Sequence, residues 1–136
     1  MNSSNKTVAE IMTTKVIALK KDNDIDEAIS IMVKNDISYI PVVEGDNLIG
    51  IVSDRDVRVA FACDPFINSE ESDPLQACTK VMQIMTRNPK TISPDTNISS
   101  CARMFYENNV GALPVVRDGN LIGIISTHDL LKELFN

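Results

Sequence analysis

Two seven-residue stretches of this chain combine residue types that could hold an anionic ligand. Gly50–Asp56 reads G-I-V-S-D-R-D, and the pattern returns 73 positions later in Gly123–Asp129 as G-I-I-S-T-H-D. In each stretch an apolar run ends at a serine, and an aspartate follows three residues later. A turn from strand to helix presents unpaired backbone N–H groups and the positive end of a dipole to a phosphate. A serine hydroxyl at that turn can add a hydrogen bond to the same oxygens.

The same serine and aspartate also fit a purely structural role. Ser53 and Asp56, like Ser126 and Asp129, place an N-cap serine three residues before an acid, which is close to a capping box. Such a cap stabilises a helix by about 1 kcal/mol without any ligand. The two interpretations are compatible, because a hydroxyl that caps the helix can turn to a ligand when one is present.

The basic side chains beside the two motifs differ. Arg55 and Arg58 lie in the first motif's helix and are cations suited to phosphate, whereas Thr127 and His128 follow the second serine. The alternative is a solvated first helical turn for Arg55 and an exposed imidazole for His128. We therefore predict two unequal sites, with the stronger one beside Arg55.

Apolar periodicity predicts the helices that precede these motifs. Asp24 followed by Glu27 is a capping-box pattern, and Asn97 occupies the equivalent N-cap position in the second copy. The buried faces of the two helices are predicted at helical spacing, over Ile25, Ala28, Ile29, Met32 and Val33 and over Ile98, Cys101, Ala102, Phe105 and Tyr106.

The other predicted elements follow from β-branched runs and turn chemistry. Each copy contains a β-hairpin with a loop of about four residues, over Ser38–Val43 with Leu48–Val52 and over Leu113–Val116 with Leu121–Ile125. A strand is predicted at Lys15–Leu19, and helices are predicted at Thr7–Met12, Ser53–Phe61, Leu75–Met85 and Thr127–Phe135.

The order β-α-β-β-α thus occurs twice, which predicts an α+β fold with an internal repeat. We place the first repeat at residues 7–62, an acidic insertion loop at 63–73 and the second repeat at 74–136. A unit of roughly 55 residues buries too little apolar surface alone, so the repeats are expected to pair. The insertion is more typical of a solvated loop than of a metal site.

Composition excludes several classes of function. The net charge of −6 argues against non-specific binding to nucleic acid or to an anionic membrane, and no apolar run is long enough to span a bilayer. The N-terminus lacks the apolar core of a signal peptide, so a cytoplasmic location with reduced cysteines is expected. With one histidine, no paired nucleophile and base and no phosphate-binding P-loop, we predict neither a metal site nor a catalytic residue.

At this point the motifs resemble those of a known family. Each copy has I-M-T near its start (from Ile11 and from Ile84), P-V-V in a strand (from Pro41 and from Pro114) and G-h-h-S-x-x-D at the last strand-to-helix turn, where h is apolar. This combination resembles the CBS domain over about residues 7–135. The resemblance implies a module of two repeats that pack through their sheets about a pseudo-twofold axis, and such modules commonly form homodimers.

The resemblance also implies a ligand and a role. The family's usual ligand is an adenine nucleotide (AMP, ADP or ATP) or a related adenosyl compound such as S-adenosylmethionine, with NADH also possible, bound in clefts between the repeats. The implied function is regulation of an unknown partner protein, and the alternative is an interaction or scaffold protein without a physiological small ligand. Aspartate at the motif can accept hydrogen bonds from ribose hydroxyls.

The residues implied at the ligand fall into two groups. The polar group comprises Ser53, Arg55, Asp56, Ser126, His128 and Asp129, and a pseudo-twofold axis that joined the two turns would place Arg55 and His128 at a shared polyphosphate region. The apolar group would surround adenine and offer backbone hydrogen bonds, and it comprises Ile17, Ala18, Ile40, Pro41, Leu113 and Pro114.

Overall fold

The computed structural model describes residues 5–63 and 79–135, which fall into two compact units. The Ser53 unit contains residues 17–88, and the Ser126 unit contains residues 1–16 and 89–136. Both mix helices with a small sheet in the same order. The α+β class and the internal repeat predicted from the sequence are therefore confirmed.

The Ser53 unit is built on a four-stranded sheet. Its elements in chain order are β1 (Leu19–Lys20), α2 (Ile25–Asn35), β2 (Tyr39–Glu44), β3 (Asn47–Ser53), α3 (Asp54–Cys63), α4 (Val81–Ile84) and β4 (Thr86–Arg87). Strand β1 runs parallel to β2, and the antiparallel hairpin β2–β3 is extended by antiparallel β4. Helices α2 and α3 pack against each other.

The Ser126 unit repeats this plan with different connections. Its elements are α1 (Val8–Ile11), α5 (Ile98–Asn108), β5 (Ala112–Arg117), β6 (Asn120–Ser126) and α6 (Thr127–Leu134). Strands β5 and β6 form the antiparallel hairpin. Ile92 pairs in parallel with Val115, as β1 does with β2, and Thr13 pairs with Ile124, as β4 does with β3.

The first residues of each sequence repeat lie in the opposite unit: Val8 of the first repeat lies in the Ser126 unit, and Val81 of the second repeat lies in the Ser53 unit. Val8 donates its N–H to the carbonyl oxygen of Thr96 at 2.8 Å, and Val81 donates its N–H to that of Asn23 at 2.8 Å. Both valines are fully buried. Val8 packs in the Ser126-unit core with Leu113 and others, whereas Val81 packs in the Ser53-unit core. The two repeats thus exchange their N-terminal segments.

The predicted helix caps are present. The Asp24 N–H donates to Oε1 of Glu27 at 3.4 Å, and Oδ1 of Asn97 accepts the N–H of Ser100 at 2.8 Å. The predicted apolar faces are too wide, by Val33 on the first helix (76% exposed) and by Ala102 and Tyr106 on the second, both exposed, Tyr106 to 88%. Val33 and Tyr106 lie eight residues after the first apolar position, which is about 80° around the helix axis and therefore at the solvent edge.

Three other elements differ from the prediction. The strand predicted at Lys15–Leu19 is observed only at Leu19–Lys20. In the parallel register the preceding residue, Ala18, lies opposite Pro41, which has no N–H to donate to a neighbouring strand. Both hairpins have two-residue turns instead of the predicted loops of about four residues. In the second hairpin the turn residues Asp118 and Gly119 both have positive φ (54° and 83°), which is typical of a two-residue turn.

The helix predicted at Leu75–Met85 begins, within the described residues, only at Val81. Lys80 before it is extended, with φ −84° and ψ 148°. The rest of that predicted helix and residues 64–73 of the acidic insertion lie outside the described residues. The predicted repeat boundaries therefore stay a prediction.

Candidate functional site

The first motif forms a sharp turn from β3 into α3. The Ser53 N–H donates to Oδ2 of Asp56 at 2.9 Å, and the Asp56 N–H donates to Oγ of Ser53 at 3.0 Å. The Asp54 N–H donates to the carbonyl oxygen of Ser38 at 2.8 Å. Side chain and backbone thus hold the start of α3 against the neighbouring strand.

The second motif forms the same turn from β6 into α6. The Ser126 N–H donates to Oδ2 of Asp129 at 2.8 Å, and the Asp129 N–H donates to Oγ of Ser126 at 3.2 Å. The Thr127 N–H donates to the carbonyl oxygen of Gly111 at 3.0 Å. The capping boxes proposed as the structural alternative are therefore present in both units.

Capping leaves part of each turn unused. The first N–H groups of a helix have no partner inside the helix. In both units, three of these groups have found other partners: the N–H of the N-cap serine, of the first helical residue and of the third helical residue. The second, on Arg55 or His128, has no partner among the described residues. Within residues 5–63 and 79–135, the serine hydroxyl hydrogen and Oδ1 of the aspartate also have no partner. One turn therefore offers two donors and one acceptor to a polar ligand.

The basic side chains near the two turns differ in their ion pairing. Arg58 lies 3.8 Å from Oδ2 of Asp54, one turn away on α3. Arg55 is exposed and forms no ion pair with any described residue, and His128 is likewise exposed. Arg55 is therefore the guanidinium that an incoming anion would meet at the first turn.

The predicted apolar site residues of the Ser53 unit lie at the same end of its sheet as Ser53. Tyr39, the first residue of β2, is paired with Ser53, the last residue of β3. Ile17 and Ala18 precede β1, which runs parallel to β2, so they lie beside Ile40 and Pro41. The equivalent positions in the Ser126 unit are Leu113 and Pro114, close to the pairing of Ala112 with Ser126.

Strand alternation separates these apolar residues into two groups. Ile40 and Leu113 are fully buried in the cores of their units, so their side chains face away from the motif serines and only their backbones could serve a ligand. Pro41 and Pro114 are buried but lie on the serine face. Ile17 is 37% exposed and Ala18 is also exposed.

The motif glycines have a structural partner that the sequence did not predict. A Cβ on Gly50 would lie 2.5 Å from Sδ of Met85 and 3.0 Å from the Thr86 carbonyl oxygen. On Gly123 it would lie 2.5 Å from Sδ of Met12 and 3.0 Å from the Thr13 carbonyl oxygen. The close approach at each glycine is thus made by the I-M-T segment. The signal was the joint repetition of I-M-T and the motif glycine.

The environment of Cys101 excludes a reactive thiol. Cys101 is fully buried on α5 in the Ser126-unit core. Burial, with a smaller contribution from the charge of Asp129, raises the pKa of this thiol to about 11. Over residues 5–63 and 79–135, no group of three His, Cys, Asp or Glu side chains could hold a metal ion. In the same residues, no helix has the length and apolar character needed to cross a membrane.

Comparison with known proteins identifies the family. The family model for the CBS domain matches residues 8–62 and 81–136, and the chain belongs to the CBS domain family. It is 36% identical to a CBS domain-containing protein of Dictyostelium discoideum, with 93% of this chain and 90% of that protein covered. It is 34% identical to a homoserine O-acetyltransferase of Methanosalsum zhilinae, of which it spans only 25%.

Solved structures give the same family at lower identity. CBSX2, a CBS-pair protein of Arabidopsis thaliana, was solved in complex with AMP; it superposes with a TM-score of 0.79 at 27% identity, over 96% of both chains. The CBS domain pair of the protein MJ0100 was solved with 5′-methylthioadenosine and S-adenosylmethionine. It superposes with a TM-score of 0.80 at 27% identity, over 96% of this chain and 95% of that one.

Proposed function

We propose that this chain is a regulatory module that senses an adenosine-containing metabolite, with AMP, ADP or ATP as the first candidates. The observation that supports this most is the ligand content of its structural relatives. CBSX2 was solved with AMP and the MJ0100 pair with two other adenosyl compounds, and both match this chain over nearly their whole length. Adenosine is the element that these ligands share.

The geometry of the Ser53 unit agrees with such a ligand. The Arg55 N–H, which has no partner in the part of the chain that the structure describes, is a donor for phosphate oxygens, as are the exposed Arg55 guanidinium and the Ser53 hydroxyl. Oδ1 of Asp56 is an acceptor for a ribose hydroxyl. The Ser126 unit offers the same set with His128 in place of Arg55, so we propose a weaker site there.

Binding would act through the helix starts. A ligand that binds the Ser53 hydroxyl hydrogen and Oδ1 of Asp56 adds contacts beside the capping bonds that anchor α3, so occupancy changes how firmly this helix start is held. We propose that the change is transmitted to a homodimer partner and to a separate regulated protein. No catalytic step is assigned to the module.

One observation favours a second candidate, an interaction or scaffold protein without a small ligand. The serine and aspartate of both motifs are already engaged in capping boxes, which account for these residue types without any ligand. Binding measurements separate the two candidates.

The test is a thermal-shift panel confirmed by calorimetry, with AMP, ADP, ATP, S-adenosylmethionine and NADH. A ligand at 100 times its Kd stabilises the folded state by about 2.7 kcal/mol, which should raise Tm by roughly 3 to 8 °C. GMP and ribose 5-phosphate are the controls for base and phosphate. No shift with any adenosine compound at millimolar concentration would rule out the sensor and favour the scaffold.

A further inference from the structure

Tyr39 occupies a position that sequence patterns do not single out. It pairs across the hairpin with Ser53, and residues opposite each other in an antiparallel pair project from the same face with Cβ atoms about 4.5–5.5 Å apart. The next pair, Ile40 and Val52, is fully buried in the core on the other face. The phenol ring therefore emerges beside the motif serine.

The Tyr39 side chain lies outside the apolar core of the Ser53 unit. The Ser53-unit core contains Ile40 and Val42 of the same strand but not Tyr39. Tyr39 is only partly buried, and its hydroxyl makes no hydrogen bond with any described residue. A half-buried tyrosine commonly has a partner for its polar end. The Tyr39 hydroxyl is thus a polar group beside the motif serine that has no partner among the described residues.

The two units differ sharply at this position. The residue opposite Ser126 is Ala112, which is 6% exposed. The Ser53 turn thus has an aromatic ring and a guanidinium beside it, whereas the Ser126 turn has a methyl group and an imidazole. A ring next to a phosphate-binding turn can stack on a heteroaromatic base while the cation holds the anion.

We infer that Tyr39 is a specificity-determining residue of the Ser53 site, which selects ligands that join an aromatic base to an anionic group. Tyr39 stacks on the base, and Arg55 binds the anion. This inference rests on the proposed function and adds a residue and a ligand preference to it. It assigns the base-dependent part of the affinity to the Ser53 unit.

The chain is suited to a direct spectroscopic test, because it has two tyrosines and no tryptophan. In Tyr106→Phe, which alters a ring that is 88% exposed on α5, Tyr39 becomes the only tyrosine. We expect AMP to change the Tyr39 fluorescence saturably, at the Kd found by calorimetry, after correction for absorbance with free N-acetyltyrosinamide. Ribose 5-phosphate, which lacks the base, should leave the emission unchanged.

Affinity variants complete the test. Tyr39→Ala should weaken the stronger AMP site at least about fivefold, the lower range for loss of one stacked ring. Tyr39→Phe should keep most of the affinity, and Tyr106→Ala should keep all of it. Tyr39→Leu preserves bulk and strand propensity without a π face, so it should bind as weakly as Tyr39→Ala while remaining folded by circular dichroism.

The outcomes are distinguishable from those of the proposed function. If AMP binds the full chain but Tyr39→Ala and Tyr39→Leu bind equally well or more tightly, the inference is wrong and the sensor proposal stands. If the emission responds to ribose 5-phosphate as strongly as to AMP, stacking on the base is wrong. If no adenosine compound binds the unaltered chain, both proposals are overturned.

Discussion

The motif aspartates have two tasks that a suitable substitution separates. In both units one carboxylate oxygen accepts the serine N–H, while the other accepts no hydrogen bond from a described residue. An asparagine keeps an acceptor oxygen for the cap but loses the charge. It is therefore a better probe than alanine, which would also remove the cap and cost about 1 kcal/mol of stability.

We expect Asp56→Asn to weaken nucleotide binding roughly tenfold or more, the usual range for a charged hydrogen bond, and Asp129→Asn to weaken it less. The reason is that Arg55 lies beside Asp56, whereas the second turn has His128. Calorimetric titration of both variants measures the difference. The matched control is Asp46→Asn, an exposed acid in the β2–β3 turn. Equal losses at Asp56 and Asp129 would contradict the predicted order of the sites.

The Cys101 thiol gives a prediction about pH. Its pKa is raised from 9.0 to about 11 by burial first and by Asp129 second. The folded state thus binds this proton more tightly than the unfolded chain, so the stabilisation is complete below pH 9 and is lost as pH rises towards 11. Between pH 8.5 and 11, the free energy of unfolding of the protein should fall by about 1 to 3 kcal/mol more than that of Cys101→Ala does.

Urea unfolding of the protein and of Cys101→Ala across this pH range measures the effect. Cys63 and Cys78 are present in both proteins, so their own titration cancels in the difference. Parallel stability curves for the two proteins would show that the thiol does not titrate as its burial requires.

At the scale of elements, each I-M-T segment lies on one motif glycine. Met85 and Thr86 contact Gly50 on β3, and Met12 and Thr13 contact Gly123 on β6. The contact joins a short helix end to the strand that leads into the capped turn. The absence of a Cβ at each glycine thus allows the close contact between these two segments.

Adding a methyl group at either glycine should destabilise the protein. We expect Gly50→Ala and Gly123→Ala each to cost about 1 to 3 kcal/mol, because the methionine sulfur at 2.5 Å must be displaced and the carbonyl oxygen at 3.0 Å can move only if the paired strand shifts. Chemical unfolding measures the cost. In the double variant Gly50→Ala/Met85→Ala, the loss of unfolding free energy should be smaller than the sum of the losses in the two single variants. Simple additivity would mean that the methionine does not limit the space.

At the scale of the whole molecule, the exchanged segments decide which stretch of chain holds a complete core. Val81, Ile84 and Met85 complete the apolar cluster around Leu19, although they belong to the second repeat. Val8, Ile11 and Met12 complete the cluster around Leu113 in the same reciprocal way. A cut between the repeats would therefore remove part of each core.

Fragment stability should follow the compact units and not the repeats. A fragment of residues 17–88 keeps the whole Ser53-unit core, whereas residues 1–63 lack Val81 and expose the core it covers. We expect residues 17–88 to unfold at higher denaturant concentration and residues 1–63 to show no cooperative transition, since loss of one large buried side chain costs about 2 to 5 kcal/mol. Equal stability of the two fragments would contradict the exchange.

Much of this protein was determined by local features of its sequence. The repeat, both hairpins, the caps at Asp24 and Asn97 and the serine–aspartate turns depend on hydrogen bonds within a few residues or on apolar periodicity, so their patterns are readable in one dimension. The same patterns, in register, identified the family. Boundaries were less predictable, because pairing near Pro41 and solvent exposure of Val33 depend on neighbours elsewhere in the chain.

Only the tertiary structure decided which segments share a core and which side chains share a site. The exchange of Val8 and Val81 and the partners of Gly50 and Gly123 join residues about 35 to 110 positions apart, and no local rule encodes such contacts. Strand register, which a shift of one residue would invert, placed Ile40 in the core and Tyr39 beside Ser53. Residue type marked the candidate turn, but register selected the side chains that surround it.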